Sequence, residues 1–217
     1  MIVMANAKVN LALSVEDERV DGYHDLDMVN VPITLSDKVY IGLDNTLDET
    51  IITCDNPDIE MDEKSQPYLA VKVMCEHFNI SDKFQIDIAK EIPIEAGLGG
   101  ESTDAAAIMR GIVTLCNIKT TDEELCELAT KVGSDVPFFI VNKPCRVRGR
   151  GDYIDIFEVK NKYYIMIVKP SSGCKTKDVF GEYNDSDHLD LEISRLVDAL
   201  MDGEDSQIKR FVGNDLQ

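Results

Sequence analysis

The chain has 217 residues, 44% of them hydrophobic, which is enough for one large domain or two small ones with packed cores. Its formal net charge is −19, from 41 acidic and 22 basic residues, and a surface of that sign repels polyphosphate backbones. Nucleic acid is therefore excluded as a general partner, while a small anion needs a locally positive site. Two basic clusters are candidates for one: Lys143, Arg146, Arg148 and Arg150, and then Lys169, Lys175 and Lys177. Six cysteines (Cys54, Cys75, Cys116, Cys126, Cys145, Cys174) form no CxxC pair and no cysteine–histidine cluster with metal spacing. Cys75, Cys116 and Cys126 fall in apolar helical patterns and read as core thiols. No signal-peptide pattern or bilayer-length apolar run is present, so the expectation is a reduced, cytoplasmic protein with no membrane partner.

In chain order, Val9, Leu11, Leu13 and Val15 alternate with smaller or polar residues and predict a strand. Val29 to Ile33 and Lys38 to Leu43 are two further β runs, separated by a turn-like Leu35-Ser36-Asp37. A short β run follows at Ile51 to Cys54. A helix is predicted from Ser65, with Pro67 in its first turn and Leu69, Val73 and Met74 on one face. Phe84, Ile86 and Ile88 alternate in a strand that leads into a glycine-rich loop. The next helix should bury Ala105, Ile108, Met109, Ile112 and Leu115. Thr121 with Glu124 makes a capping box for a helix that stops at Gly133. Strands are predicted at Phe138 to Val141, Tyr153 to Phe157 and Tyr163 to Val168, and a helix from Leu189 to Met201 with Gly203 behind it. Strands and helices mix without a regular βαβ rhythm, which predicts an α+β fold with a seam between about residues 144 and 160.

Residues 93 to 107 read Pro93-Ile94-Glu95-Ala96-Gly97-Leu98-Gly99-Gly100-Glu101-Ser102-Thr103-Asp104-Ala105-Ala106-Ala107. Glycines let the backbone approach a phosphate, and the amides of the first helical turn point at it with the positive end of the helix dipole. The loop lacks the Lys-Ser/Thr ending of a Walker A loop and the spacing of a dinucleotide fingerprint, so taken alone it reads equally well as a strand-to-helix turn. Three other segments carry candidate chemistry. Lys8 and Asn10 point to one face of a strand, where an exposed polar edge is the plainer reading. Tyr23 and His24 sit in the turn Asp21-Gly22-Tyr23-His24-Asp25, where they could stack on and hydrogen-bond a planar ring or simply be solvated. Asp135, in Gly133-Ser134-Asp135-Val136-Pro137-Phe138-Phe139, is placed before an apolar strand, as a general base or a turn aspartate.

The order of these four segments resembles the superfamily of galactokinase, homoserine kinase, mevalonate kinase and phosphomevalonate kinase, the GHMP kinases. The Gly22-Tyr23-His24 segment is similar to that of the members acting on 4-diphosphocytidyl-2-C-methyl-D-erythritol, in non-mevalonate isoprenoid synthesis. Weaker likeness continues through Gly149-Arg150-Gly151-Asp152 and Val168-Lys169-Pro170 to Asn214-Asp215-Leu216. The resemblance implies the GHMP fold. Residues 1–155 would form an N-terminal domain of the ribosomal protein S5 domain 2 type, and residues 156–217 part of a C-terminal α/β domain, in a monomer or weak homodimer. It implies ATP-dependent phosphorylation of the substrate's 2-hydroxyl, with ATP and Mg²⁺ as cofactors. Lys90, Pro93, Ala96, Gly97, Leu98, Gly99, Gly100, Glu101, Ser102 and Thr103 would bind ATP, with Ser102 or Thr103 placing the metal. Asn10, Tyr23 and His24 would bind the substrate, Asp135 would take the hydroxyl proton, and Lys8 would stabilise that aspartate and the developing charge. Glu101 stands where the family carries glycine, and Ser65 where it carries an asparagine near the adenine. The carboxyl end is short against the family's second domain. These departures predict reduced turnover, and keep open a non-catalytic paralogue that binds nucleotide or a partner, or a GHMP kinase for another small alcohol.

Overall fold

A computed structural model describes residues 1–18, 24–149, 151, 153–170, 172–173, 179, 181–183 and 188–216. Two long strands, β1 (Ile2–Glu18) and β2 (His24–Leu43), run through two units of the chain. One unit comprises Met1–Ala7, Thr34–Pro93 and Gly99–Val141; the other comprises Lys8–Ile33, Ile94–Leu98 and Asn142–Gln217. Strands and helices are mixed, as the α+β expectation requires.

In the first unit, β4 (Phe84–Ala89) pairs antiparallel with Lys38 to Leu43 of β2 and parallel with β3 (Ile51–Cys54). Phe84, Ile86 and Ile88 are buried, so the period of two puts them on one face. Four helices belong to this unit: α1 (Gln66–Phe78), α2 (Gly100–Leu115), α3 (Asp122–Ala129) and α4 (Val136–Val141). α2 packs against α1 and α4, and α3 against α4. Ala105, Ala106 and Ala107 are all fully buried, and such small side chains let neighbouring elements close around the helix. Leu115 is only half-buried. Arg110, on α2, donates to the carbonyls of Phe139 and Met4, and burial pulls its guanidinium down from its ordinary value.

In the second unit, β5 (Cys145–Gly149) pairs antiparallel with Leu26 to Asn30 of β2 and with β6 (Tyr153–Ile156). β7 (Gly213–Asn214) lies parallel to Ala12 and Leu13 of β1. Two helices, α5 (Ile193–Asp202) and α6 (Asp205–Phe211), complete a core of Ala12, Val29, Phe157, Ile193, Leu196, Leu200 and Phe211. Asp215 is buried and accepts from the amides of Val15 and Leu189, each at 2.8 Å, and pairs with His188 at 3.0 Å.

Several elements differ from the sequence reading. The two β runs around Leu35-Ser36-Asp37 are one strand. Asp37 is fully buried within it, because its carboxylate accepts from the amides of Glu91 and Ile92 and meets Lys90. Phe138 to Val141 is helical: Pro137 suits a first helical turn, and consecutive burial of Phe138, Phe139 and Ile140 imitates a buried strand in composition. Tyr163 to Val168 pairs with no described strand, and Tyr164, Met166 and Val168 are strongly exposed. α5 begins at Ile193 rather than Leu189, whose amide is taken by Asp215. α3 is capped by the Thr121 hydroxyl as expected, but ends at Ala129, and turns carry the chain on to Gly133. Cys75, Cys116 and Cys126 are half-buried, since the buried stripe of α1 runs through Pro67, Ala70, Val71 and Met74 beside Cys75. Burial still raises these thiols, Cys126 to about 11.

Candidate active site

The head of α2 is built as the glycines predicted. Gly99 is its N-cap at φ +73°, a left-handed conformation that disfavours a side chain, and no side chain caps the helix. The first backbone bond of the turn runs from the Thr103 amide to the Gly99 carbonyl. The amides of Gly100, Glu101 and Ser102 therefore lack acceptors within the helix and sit at the positive end of its dipole.

Beneath this turn lies a buried charge cluster. Lys90 Nζ is 2.6 Å from Asp37 Oδ2 and 2.5 Å from Asp104 Oδ2, and 3.3 Å from where a Cβ on Gly100 would stand. Lys90 hydrogen-bonds Asp104, and its short contact with Asp37 adds both attraction and hydrogen bonding to the same ammonium. Desolvation opposes the Lys90 charge, but the two aspartates outweigh it and raise its proton affinity. Burial pushes Asp104 up to about 7, with the Asp37 charge adding to the effect and Lys90 opposing it. Lys90 is thus internally paired, and sequence reasoning missed both partners. Asp104 was visible only as a helix-opening polar residue, and Asp37 as part of a turn.

Glu101 does not point its charge idly at the loop. Its Oε1 accepts from the Gln66 amide at 2.8 Å and so caps α1. Ser65 occupies the N-cap position of α1 but turns its hydroxyl back to the Asp62 carbonyl, which leaves that cap to Glu101. The Gln66 side chain accepts from the Ser102 hydroxyl at 2.8 Å, and its Nε2 lies 2.9 Å from where a Cβ on Gly133 would stand. Gln66 thus touches both the first turn of α2 and the start of Gly133-Ser134-Asp135. Asp135 immediately precedes α4, a helix and not the strand that was expected. Ser102 keeps oxygen lone pairs beyond its bond to Gln66 and is 8% exposed, whereas Thr103 is 1% exposed, which makes Ser102 the better metal candidate of the two. No group of three metal-binding side chains is present among the described residues.

In the second unit, Lys8 and Asn10 share a strand face, as their spacing required. Lys8 Nζ donates to Asn10 Oδ1 at 2.7 Å. Lys8 is only 6% exposed, so an exposed polar edge is ruled out. Asn10 Nδ2 donates to Asn30 Oδ1 at 2.6 Å and to Met28 Sδ at 3.4 Å. The Lys8 amide holds the Leu98 carbonyl at 3.1 Å, which anchors that end of the glycine loop to β1. His24 meets the ring of Tyr183 edge-on at 5.9 Å. Tyr23 lies outside the described residues, as do Arg150, Lys175 and Lys177. Arg146 is bound by Asp27 and Arg148 by Asp155, so these cations serve ion pairs. Pro93 belongs to the first unit, and Ala96, Gly97 and Leu98 to the second.

Residues 65–143 match the family model of the GHMP kinases N terminal domain. A putative 4-diphosphocytidyl-2-C-methyl-D-erythritol kinase of Streptococcus uberis is 36% identical over 218 residues, covering 100% of this chain and 76% of its own length. The Bacillus cereus protein of the same name, without the qualifier, is 34% identical over 217 residues and is covered over 75% of its length. A crystal structure of 4-(cytidine 5'-diphospho)-2C-methyl-D-erythritol kinase superposes with a TM-score of 0.72 at 27% identity, over 94% of this chain and 72% of that one. Streptococcus pneumoniae phosphomevalonate kinase, at 13% identity and a TM-score of 0.69, shares the fold. The chain belongs to the GHMP kinases, in the family of 4-diphosphocytidyl-2-C-methyl-D-erythritol kinases.

Proposed function

We propose that this chain transfers the terminal phosphoryl group of ATP to the 2-hydroxyl of 4-diphosphocytidyl-2-C-methyl-D-erythritol. The observation that carries the reading is the uncapped head of α2, with three amides lacking helical acceptors, in a chain whose relatives carry that kinase name. Phosphoryl transfer asks a protein for placement and charge stabilisation more than for covalent help. The amides of Gly100, Glu101 and Ser102 hold a phosphate, and Gly97 to Gly99 let the backbone approach it. Lys90 acts from below, through the turn it supports. Asp135 takes the proton from the attacking hydroxyl, and Lys8 balances the negative charge that develops. Asn10 orients Lys8 as well as facing the substrate's erythritol. His24 hydrogen-bonds the cytosine, with Tyr23 and the ring of Tyr183 as aromatic surfaces. Ser102 Oγ is the atom of this chain that would help hold Mg²⁺, which would supply neutralisation of the phosphate charge.

The test is ATP consumption with the cytidine substrate, with homoserine and mevalonate as competitors, for the wild type and Asp135→Asn. The expected result is turnover of the cytidine compound alone, reduced by about 10³-fold or more in the variant with its melting temperature kept. Turnover of homoserine or mevalonate instead would transfer the chain to another GHMP activity. Calorimetric binding of both ligands without turnover would make it a non-catalytic binder.

A further inference from the structure

Lys8 is nine-tenths buried and is held by Asn10, and Asn10 is itself held. The direction of each bond follows from elementary chemistry. An ammonium only donates, so the atom of Asn10 that meets Lys8 must be its oxygen. The Asn10 nitrogen is then forced to the other side, where it needs acceptors. It finds Asn30 Oδ1 at 2.6 Å and the weak acceptor Met28 Sδ at 3.4 Å. Asn30 is 1% exposed, on the part of β2 that pairs with β5. A polar amide this deeply buried in a strand, between the buried Val29 and Val31 in sequence, would ordinarily be replaced by an apolar residue. Its oxygen is what keeps Asn10 from turning over. Were Asn10 to flip, its NH₂ group would face the ammonium, donor against donor.

We infer that Asn30 is a positioning residue for Lys8, acting through Asn10 as an amide relay that fixes the direction of the ammonium. The inference rests on the proposed role of Lys8 in phosphoryl transfer for its catalytic consequence. Its geometric content, that Asn30 controls Lys8, is separate and is tested separately.

Asn30→Leu keeps the branched shape and the number of side-chain heavy atoms and removes the acceptor. Asn30→Asp keeps an acceptor oxygen at the same reach and is the conservative variant. The first readout needs no activity: acetic anhydride labelling of the folded protein, with Lys8 and Lys90 quantified by mass spectrometry. Lys90 has a side chain 5% exposed in the other unit and serves as the internal reference. Asn30→Leu is expected to speed Lys8 labelling by about threefold or more with Lys90 unchanged, and Asn30→Asp to stay within about twofold of wild type. The second readout is kinetic. Asn30→Leu is expected to lower kcat about tenfold with KM for ATP within about twofold, and to add nothing further once Asn10→Ala has cut the relay. A residue that merely supports the sheet would not show that non-additivity.

Unchanged Lys8 labelling in Asn30→Leu overturns the inference. So does an equal loss of kcat in the wild-type and Asn10→Ala backgrounds. If Asn30→Leu labels Lys90 as well, it has lost the fold, and Asn30→Ser, whose hydroxyl falls short of Asn10, takes its place with the same expected and excluding outcomes. A wild type without turnover would remove the proposed function, and the labelling would still decide whether Asn30 governs Lys8.

Discussion

Replacing Asp104 with asparagine is expected to flatten the dependence of stability on pH. The Asp104 carboxyl is 1% exposed, has one oxygen without a hydrogen-bond partner and shares the Lys90 ammonium with Asp37. Burial, with the neighbouring Asp37 charge, carries it from an ordinary 3.8 to about 7. A group that binds its proton more tightly folded than unfolded stabilises the fold fully below its unfolded value. That contribution is lost as pH rises through the folded value. For Asp104 the window runs from about pH 4 to about pH 7. Roughly three pH units, at about 1.4 kcal/mol each, give a loss on the order of 4 kcal/mol across it. Asparagine cannot ionise, yet it keeps an oxygen to accept from Lys90. The assay is urea unfolding of both proteins at steps between about pH 4 and pH 7.5, read as the difference between variant and wild type. Taking the difference cancels the response of the remaining carboxylates, which matters in a chain with a net charge of −19. The variant should gain on the wild type by an amount of that order as pH rises. Parallel curves would refute the placement of a shared, strained charge beneath the head of α2.

Glu101→Gly is expected to destabilise by about 1 kcal/mol, because it uncaps α1 and places glycine in the first turn of α2; thermal melting checks it. The same variant should not raise kcat, and a faster enzyme would show that the carboxylate does oppose the phosphates. Asp215→Ala removes the shared acceptor of Val15, Leu189 and His188 and is expected to cost about 2–4 kcal/mol by urea unfolding. A loss below about 0.5 kcal/mol would mean that water replaces the carboxylate there without penalty.

What was legible in the sequence was what local chemistry decides. The alternation of Phe84, Ile86 and Ile88, the cap at Thr121 and the glycine-to-helix turn at Gly99 each depend on residues a few positions apart, and each stands in the structure. Lys8 and Asn10 belong to the same class, since a strand's period of two puts them on one face. The misreadings share a cause. Asp37 has the local signature of a turn, and only Lys90 and the amides of Glu91 and Ile92, far along the chain, make it a strand residue. Phe138 to Val141 has the composition of a strand, and contacts with α2 and α3 allow it to be a helix. Asn30 and Gln66 were invisible for the same reason: an amide acquires meaning only from the group it faces.

An acidic residue at the head of the proposed anion-binding turn, in a strongly acidic chain, stands against the site by its charge, and the structure answers through distance. Charges on the exposed surface act through solvent, and salt screens them beyond about 8–10 Å. Amides of a helix head act at contact, where screening does not reach. Glu101 is held at the head of α1, whose dipole favours a carboxylate just as α2's favours a phosphate. One helix head is thereby satisfied from within the chain. The other, whose amides at Gly100, Glu101 and Ser102 have no acceptor of their own in the helix, is the one proposed for an outside anion. The bond from Ser102 to Gln66, and that from the Gln66 amide to Glu101, fix the two heads to one another, so the acid that threatens the site by its charge also helps set the site's shape.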